Sequence, residues 1–193
     1  MKKCLIEYTQ YSLTRKLEMK ILLFLLFPVL VSGCGFKDSS PLPTVPSVSL
    51  ARYTGTWYEI ARYENRFERG CVGASAAYHQ EKEYIQVTNS CFDASGILID
   101  QAQGKAYPVE GSNGAKLRVT FFWPFFGDYW ILMLADDYRY SVVGDPGRQY
   151  LWILSRTSEL SHEDKTLILK TLPELGYDPA RLYWTELRLR RGK

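Results

Sequence analysis

Histidine is nearly missing from this chain. Its 193 residues hold two, His79 and His162. They show no metal-ligand spacing, and His162-Glu163 lacks the second histidine of an H-E-x-x-H zinc motif. No G-x-S-x-G nucleophile elbow and no phosphate-cradling glycine loop occur. The common signatures of metallohydrolases, serine hydrolases and nucleotide enzymes are thus excluded, and nothing calls for a catalytic residue, a metal or a cofactor. Long apolar runs are lacking too: the main one, Ile21 to Val31, has eleven residues including Pro28, whereas a membrane-spanning helix needs roughly 20. Charge of one sign is also scarce. Net charge is +3, but the stretch before Cys34 holds five Lys/Arg against two acids, leaving 19 of the 24 basic and 19 of the 21 acidic residues to the rest. A neutral body gives no electrostatic reason to expect nucleic acid as partner. Leu187 to Lys193 is locally basic; a solvated tail explains it more simply than a phosphate-binding patch.

Aromatic residues, in contrast, are plentiful, at 15% of the chain with 14 tyrosines. They favour strands and also line apolar pockets. With 46% hydrophobic and 23% charged residues, the composition is that of one globular domain with appendages. The eleven-residue apolar run behind a basic start fits a secretory leader. Val31-Ser32-Gly33-Cys34 resembles a lipobox, at which the leader is cut before the cysteine and Cys34 receives diacylglycerol. An ordinary secretory signal or a buried helix is the bland alternative. Gly35, rather than Asp, points to the outer membrane, with the body facing the periplasm. Met19-Lys20 directly precedes the apolar run, so Met19 is a second candidate start. Pro41, Pro43 and Pro46 make residues 34–49 a semi-extended tether, reaching up to ~45 Å at ~3.1 Å per residue. The division expected is therefore a leader over 1–33, a lipidated tether over 34–49 and a folded body over 50–193.

From residue 55 onward, short aromatic or β-branched runs alternate with turn signals. Strands are expected near 55–64, 71–79, 83–92, 98–108, 115–122, 128–136, 139–144 and 149–156, with turns at Asp93 to Gly96, Gly111 to Gly114 and Gly144 to Gly147. Eight short strands with close turns predict a sandwich or an up-and-down barrel. One helical pattern follows. Ser161 and Asp164 resemble a capping box. Ile168, Leu172 and Leu175 share a face, Gly176 is a stop, and Pro173 should kink or shorten the last turn. Leu182 to Leu189 reads as a ninth strand.

Three segments carry a family resemblance. Gly55-Thr56-Trp57 resembles the G-x-W signature of lipocalins. Asp136-Asp137-Tyr138 resembles their T-D-Y signature, with Asp for the Thr. Tyr150 to Arg156 resembles the last-strand motif that ends in Arg. They occur in the family's order, with the helix after them, over about residues 48–190. The likeness is greatest to bacterial lipocalins and to those of the apolipoprotein D type. It implies an eight-stranded antiparallel barrel with one C-terminal helix and a short final strand. It also implies structural jobs: Gly55 turns the chain into the floor, Trp57 plugs it, and Arg156 lies over the indole. Alignment with the apolipoprotein D type carries ligand-pocket positions onto Tyr78, Asn89, Phe121, Phe125, Tyr129, Trp152 and Leu154.

With Trp57 and Arg156 inward, strand alternation sets Glu59, Ala61, Tyr63, Trp152 and Leu154 inside, and Leu151 and Ile153 outside under the helix. Phe121 to Phe126 reads as an aromatic loop at a turn near the mouth. It either folds onto its own barrel or forms a rim that passes lipid or contacts a second copy. Cys71 and Cys91 flank the expected 80–83 turn symmetrically, which predicts a cross-strand disulfide; two free thiols are the alternative. Glu59 is either a candidate acid in a dry cavity or a hydrogen-bonded structural carboxylate, held by a nearby Tyr. The function expected is binding, without catalysis, of a fatty acid or lysophospholipid for envelope maintenance or stress, by a monomer or homodimer. A haem or bilin carrier, and an enzyme acting on lipid through Glu59, are the alternatives.

Overall fold

The computed structural model describes residues 41–185. The expected leader, Cys34, residues 34–40 of the tether, the basic tail and the end of the expected ninth strand lie outside them. The segment order is a short helix α1 (Leu50–Tyr53), then β1 (Gly55–Tyr63), β2 (Gly73–Gln80), β3 (Ile85–Phe92), β4 (Leu98–Pro108), β5 (Lys116–Phe122), β6 (Phe125–Leu134), β7 (Tyr140–Gly144) and β8 (Leu151–Ser155). The helix α2 (His162–Thr171) and the short strand β9 (Leu182–Trp184) follow. Strands β2 to β8 pair with their sequence neighbours, and β1 pairs with both β8 and β2. The sheet thus closes on itself as an eight-stranded antiparallel barrel, with β9 added along the second half of β1. Closure pairs both edges of each of the eight barrel strands and leaves one inside face for side chains.

The turns form where their residues demand. Gly111, Asn113 and Gly114 all take left-handed φ between β4 and β5, a region costly for side chains that meet their own carbonyl. The Asp93 carboxylate accepts the Ser95 and Ile97 N–H groups, and the Asp145 carboxylate accepts those of Gly147, Gln149 and Tyr150. These are the local side-chain caps that favour Asp in turns.

Two apolar layers result. One fills the barrel: Trp57, Tyr78, Val87, Leu117, Ile131, Val143 and Leu154. The other lies outside, where Ile168, Leu172 and Leu175 cover Leu151 and Ile153. Strand β8 is buried on both faces, as its sequence requires. The helix starts on Ser161, whose Oγ accepts the Asp164 N–H. The expected reciprocal half of that capping box is replaced: the Asp164 carboxylate takes two hydrogen bonds from Arg139 at 2.7 and 2.8 Å. Pro173 ends the helix at Thr171, and Gly176, at φ +79°, turns the chain away.

Three expectations need correction. Ala61 and Tyr63 do not face the interior but pack in the outer layer. The register of β1 on β8 shifts between Glu59 and Ala61, and a bulge of one residue reverses which side chains point inward. Arg62 takes the inward place, opposite Trp152. Second, residues 41–49 do not stand free as tether. Leu42 and Val48 are buried, the Val45 N–H donates to the Ile131 carbonyl at 3.0 Å, and the Val48 N–H donates to that of Asn113 at 2.8 Å. Third, Phe125 and its neighbours to residue 128 extend β6, so the expected loop at 121–126 is a strand hairpin turning at Trp123-Pro124.

Candidate functional site

The barrel has a sealed end and an open end. At the sealed end, the α1 segment folds beneath Trp57. The indole N–H donates to the Tyr53 carbonyl at 2.8 Å, and the Arg156 guanidinium lies 3.7 Å over the ring centroid. Arg156 also donates to the carbonyls of Arg52, Tyr53 and Thr56. Gly55, at φ +94°, leaves room for it: a Cβ there would sit 3.3 Å from an Arg156 nitrogen. Tyr138, also left-handed at φ +65°, takes the Ser49 N–H on its hydroxyl and the Arg52 guanidinium on its ring face. Asp137 accepts from the Arg139 backbone and side chain. All five motif residues therefore sit in, or beside, one floor.

Above the floor lies a tyrosine layer. Tyr129 shares hydrogen bonds with Tyr53 at 2.9 Å and Tyr78 at 3.0 Å, and Tyr53 reaches Ser141. Burial pushes the Tyr53 hydroxyl up to about 12 and likewise raises those of Tyr78 and Tyr129. These phenols stay neutral and serve as fixed hydrogen-bonding groups in an apolar wall.

Towards the other end, inward positions become part-exposed. Asn89, Ala102, Val119 and Trp152 are not buried, while Leu117, Ile131 and Val143 below them are. The interior is therefore solid at the floor and open above. The seven expected pocket positions divide along this axis. Tyr78, Tyr129 and Leu154 lie deep. Asn89 and Trp152 lie higher, and the Asn89 Oδ1 is buried without a hydrogen-bond partner in the protein. Phe121 lies against Gly104, where a Cβ would meet its ring at 2.8 Å. Phe125, exposed at the hairpin tip opposite Phe122, is a rim residue rather than a wall residue.

Sequence reasoning missed the ionic cluster at the mouth. Arg62 donates to Glu59 at 2.5 Å and to the Cys71 carbonyl at 3.0 Å, and its Nε lies 3.4 Å from Glu68. Glu68, on a short turn of helix at Arg66–Glu68, also accepts the Trp152 indole N–H at 3.2 Å. Glu59 is held by Arg62 and the Thr185 hydroxyl, not by a tyrosine. Burial first, then the Glu68 charge, push its carboxyl up to about 8, against the lowering effect of Arg62 and Thr185. The one signal in the sequence was an Arg three residues after Glu59, which strict alternation hides. A cleft of about 540 Å³ opens beside the cluster, lined by loop 64–72 with Arg62 and Tyr183.

Cys71 and Cys91 form a disulfide, with Cα atoms 5.3 Å apart. The ladder partner of Cys91 is Ala74, not Cys71. The bond therefore ties the end of the mouth loop to β3 instead of joining opposed strand positions. His79 is exposed on β2 and His162 starts α2, so neither enters the barrel. Among the described residues, no group of three or more His, Cys, Asp or Glu could hold a metal ion.

The model of the Lipocalin-like domain family matches residues 48–187. Outer membrane lipoprotein Blc of Escherichia coli K12 is 38% identical over 77% of this chain and 87% of its own length. Its namesake in Vibrio cholerae is 35% identical over 87% and 99%. Apolipoprotein D of Macaca fascicularis is 31% identical over 78% and 82%. Among solved structures, insecticyanin from the tobacco hornworm superposes with a TM-score of 0.62 at 21% identity, over 75% of this chain and 84% of that one.

Proposed function

The chain belongs to the lipocalin family, and on that basis we propose that it is an outer-membrane lipoprotein whose periplasm-facing barrel carries a fatty acid or lysophospholipid for envelope maintenance. The observation that carries this reading is the graded interior. A buried floor of Trp57, Leu117 and Ile131 gives way to part-exposed inward positions that include Val119, Ala102 and Trp152. An acyl chain fits such an interior because each buried methylene contributes about 0.8 kcal/mol. The orphaned Asn89 oxygen and the Arg62–Glu68 cluster sit nearer the mouth, where a polar end would lie. The relatives named outer membrane lipoproteins support the location, and Cys34 supplies the anchor. A haem carrier would find no histidine ligand inside the described barrel. Glu59, engaged by Arg62 and Thr185, is a structural carboxylate, so the barrel carries its ligand unchanged.

Isothermal titration with a series of fatty acids and lysophospholipids tests this. Affinity should fall about fourfold for each methylene removed, the ratio matching ~0.8 kcal/mol. Trp152→Ala should weaken every chain length. An affinity flat with chain length, or no uptake, rejects the reading; conversion of the lipid that Glu59→Gln abolishes would make the protein an enzyme.

A further inference from the structure

Among the described residues, eleven large apolar side chains are exposed, and nine of them belong to the loops or strand ends of the open end of the barrel. Scattered exposed apolar residues are ordinary, but a contiguous set marks an interaction surface. Here three successive mouth connections contribute: Phe67 (65% exposed) from loop 64–72, Ile97 and Leu98 from the β3–β4 turn, and Phe122, Trp123 and Phe125 (80, 83 and 76%) from the β5–β6 hairpin. We propose that this rim docks on a phospholipid surface, the leaflet that the N-terminal segment reaches, so that the barrel opens directly onto its lipid source.

The length of chain before the barrel supports this occupant. The Val45–Ile131 hydrogen bond fixes the segment to the wall. Residues 41–49 lie against the body, so seven residues separate Cys34 from residue 41, a reach of up to ~25 Å at ~3.3–3.6 Å per residue. Along β6, Phe125 is six residues from Ile131, ~20 Å at ~3.4 Å per residue. The chain between Cys34 and residue 41 is therefore comparable in length with the distance from the wall to the rim. The chemistry agrees. Trp123 combines an apolar body with a polar N–H, the pattern that settles at membrane interfaces. Exposed Arg66 and Arg69 flank Phe67, offset by Glu64 and Asp93, so docking is mainly apolar and weakly dependent on lipid charge. A second copy pressed mouth to mouth would bury the same side chains but close the route between leaflet and cavity.

The test uses the full chain purified from membranes and reconstituted into phosphatidylethanolamine–phosphatidylglycerol vesicles. The protein has five tryptophans, so the emission of Trp123 is the difference between the wild-type chain and Trp123→Phe. Interfacial apolar side chains sit roughly 5–10 Å into the headgroup–acyl boundary, so phospholipid brominated on its acyl chains should quench that component about twofold, while aqueous iodide should not. Quenching by iodide and not by bromolipid overturns the proposal. So does shielding from both quenchers together with cross-linking of two chains through the hairpin, which would make the rim a self-association surface. Hydrogen exchange over residues 121–126 of the unaltered chain, with and without vesicles, decides the point should the variant fail to fold: slowed exchange with vesicles supports docking, unchanged exchange refutes it. Ligand titration reads the cavity separately, so either claim can fail alone.

Discussion

Arg156, the last residue of its strand motif, lies 3.7 Å above the Trp57 indole and donates to three backbone carbonyls of the segment that closes the barrel. It joins β8, β1 and α1 through one side chain. Arg156→Ala removes a cation–π contact of roughly 0.5–2 kcal/mol and leaves carbonyls partly unpaired, for a total near 2–4 kcal/mol. The melting temperature should fall by roughly 5–15 °C. Lipid affinity should stay within a few-fold, because the floor lies below the pocket. Scanning calorimetry and titration check both; a large affinity loss at unchanged stability would move Arg156 into the pocket.

The Cys71–Cys91 bond closes a span of 20 residues, and its loss should destabilise by about 3 kcal/mol on loop entropy. Because it tethers the mouth loop, Cys71→Ser with Cys91→Ser should also speed hydrogen exchange in residues 64–72. Alkylation without reduction should leave the unaltered folded protein at its native mass. Two added alkyl groups there would be incompatible with the bond.

Glu59 gives a pH dependence of unusual sign. Its carboxyl stands at about 8 in the folded barrel against 4.5 ordinarily. Between those values the folded state binds more protons than the unfolded one, so this group makes stability fall as pH rises from 4.5 to 8 and level off above. Glu59→Gln keeps the shape and removes the titration. Its melting temperature should be flatter across that window than that of the unaltered protein; parallel curves would show that Glu59 ionises normally.

Cys34→Ser should abolish labelling by a fatty-acid probe and release the body from the membrane fraction. Docking by the rim alone would then appear as weak, reversible vesicle association. Persistent covalent labelling would place the lipid elsewhere.

Local pattern in the sequence determined the strand positions, the turns and the helix, while the likeness to lipocalin motifs supplied the barrel and its floor. The former depend on neighbours two to four residues apart: alternation in β8, Asp and Gly at the turns, Ser161 before α2. Gly55, Trp57 and Arg156 were legible through the motifs they resemble, which sit at strand ends. What only the tertiary structure decided lies where distant segments meet. The bulge between Glu59 and Ala61 lets β1 serve β8, β2 and β9 at once, and it turns Arg62 inward and Tyr63 outward. That inversion brings Arg62, which the sequence did not single out, onto the inward Glu59 and beside Glu68. The docking of residues 41–49 on the wall and the tie from Cys71 to a strand it does not face have the same origin. A one-residue register shift costs little locally, so no short stretch encodes it; closure of the whole barrel selects it.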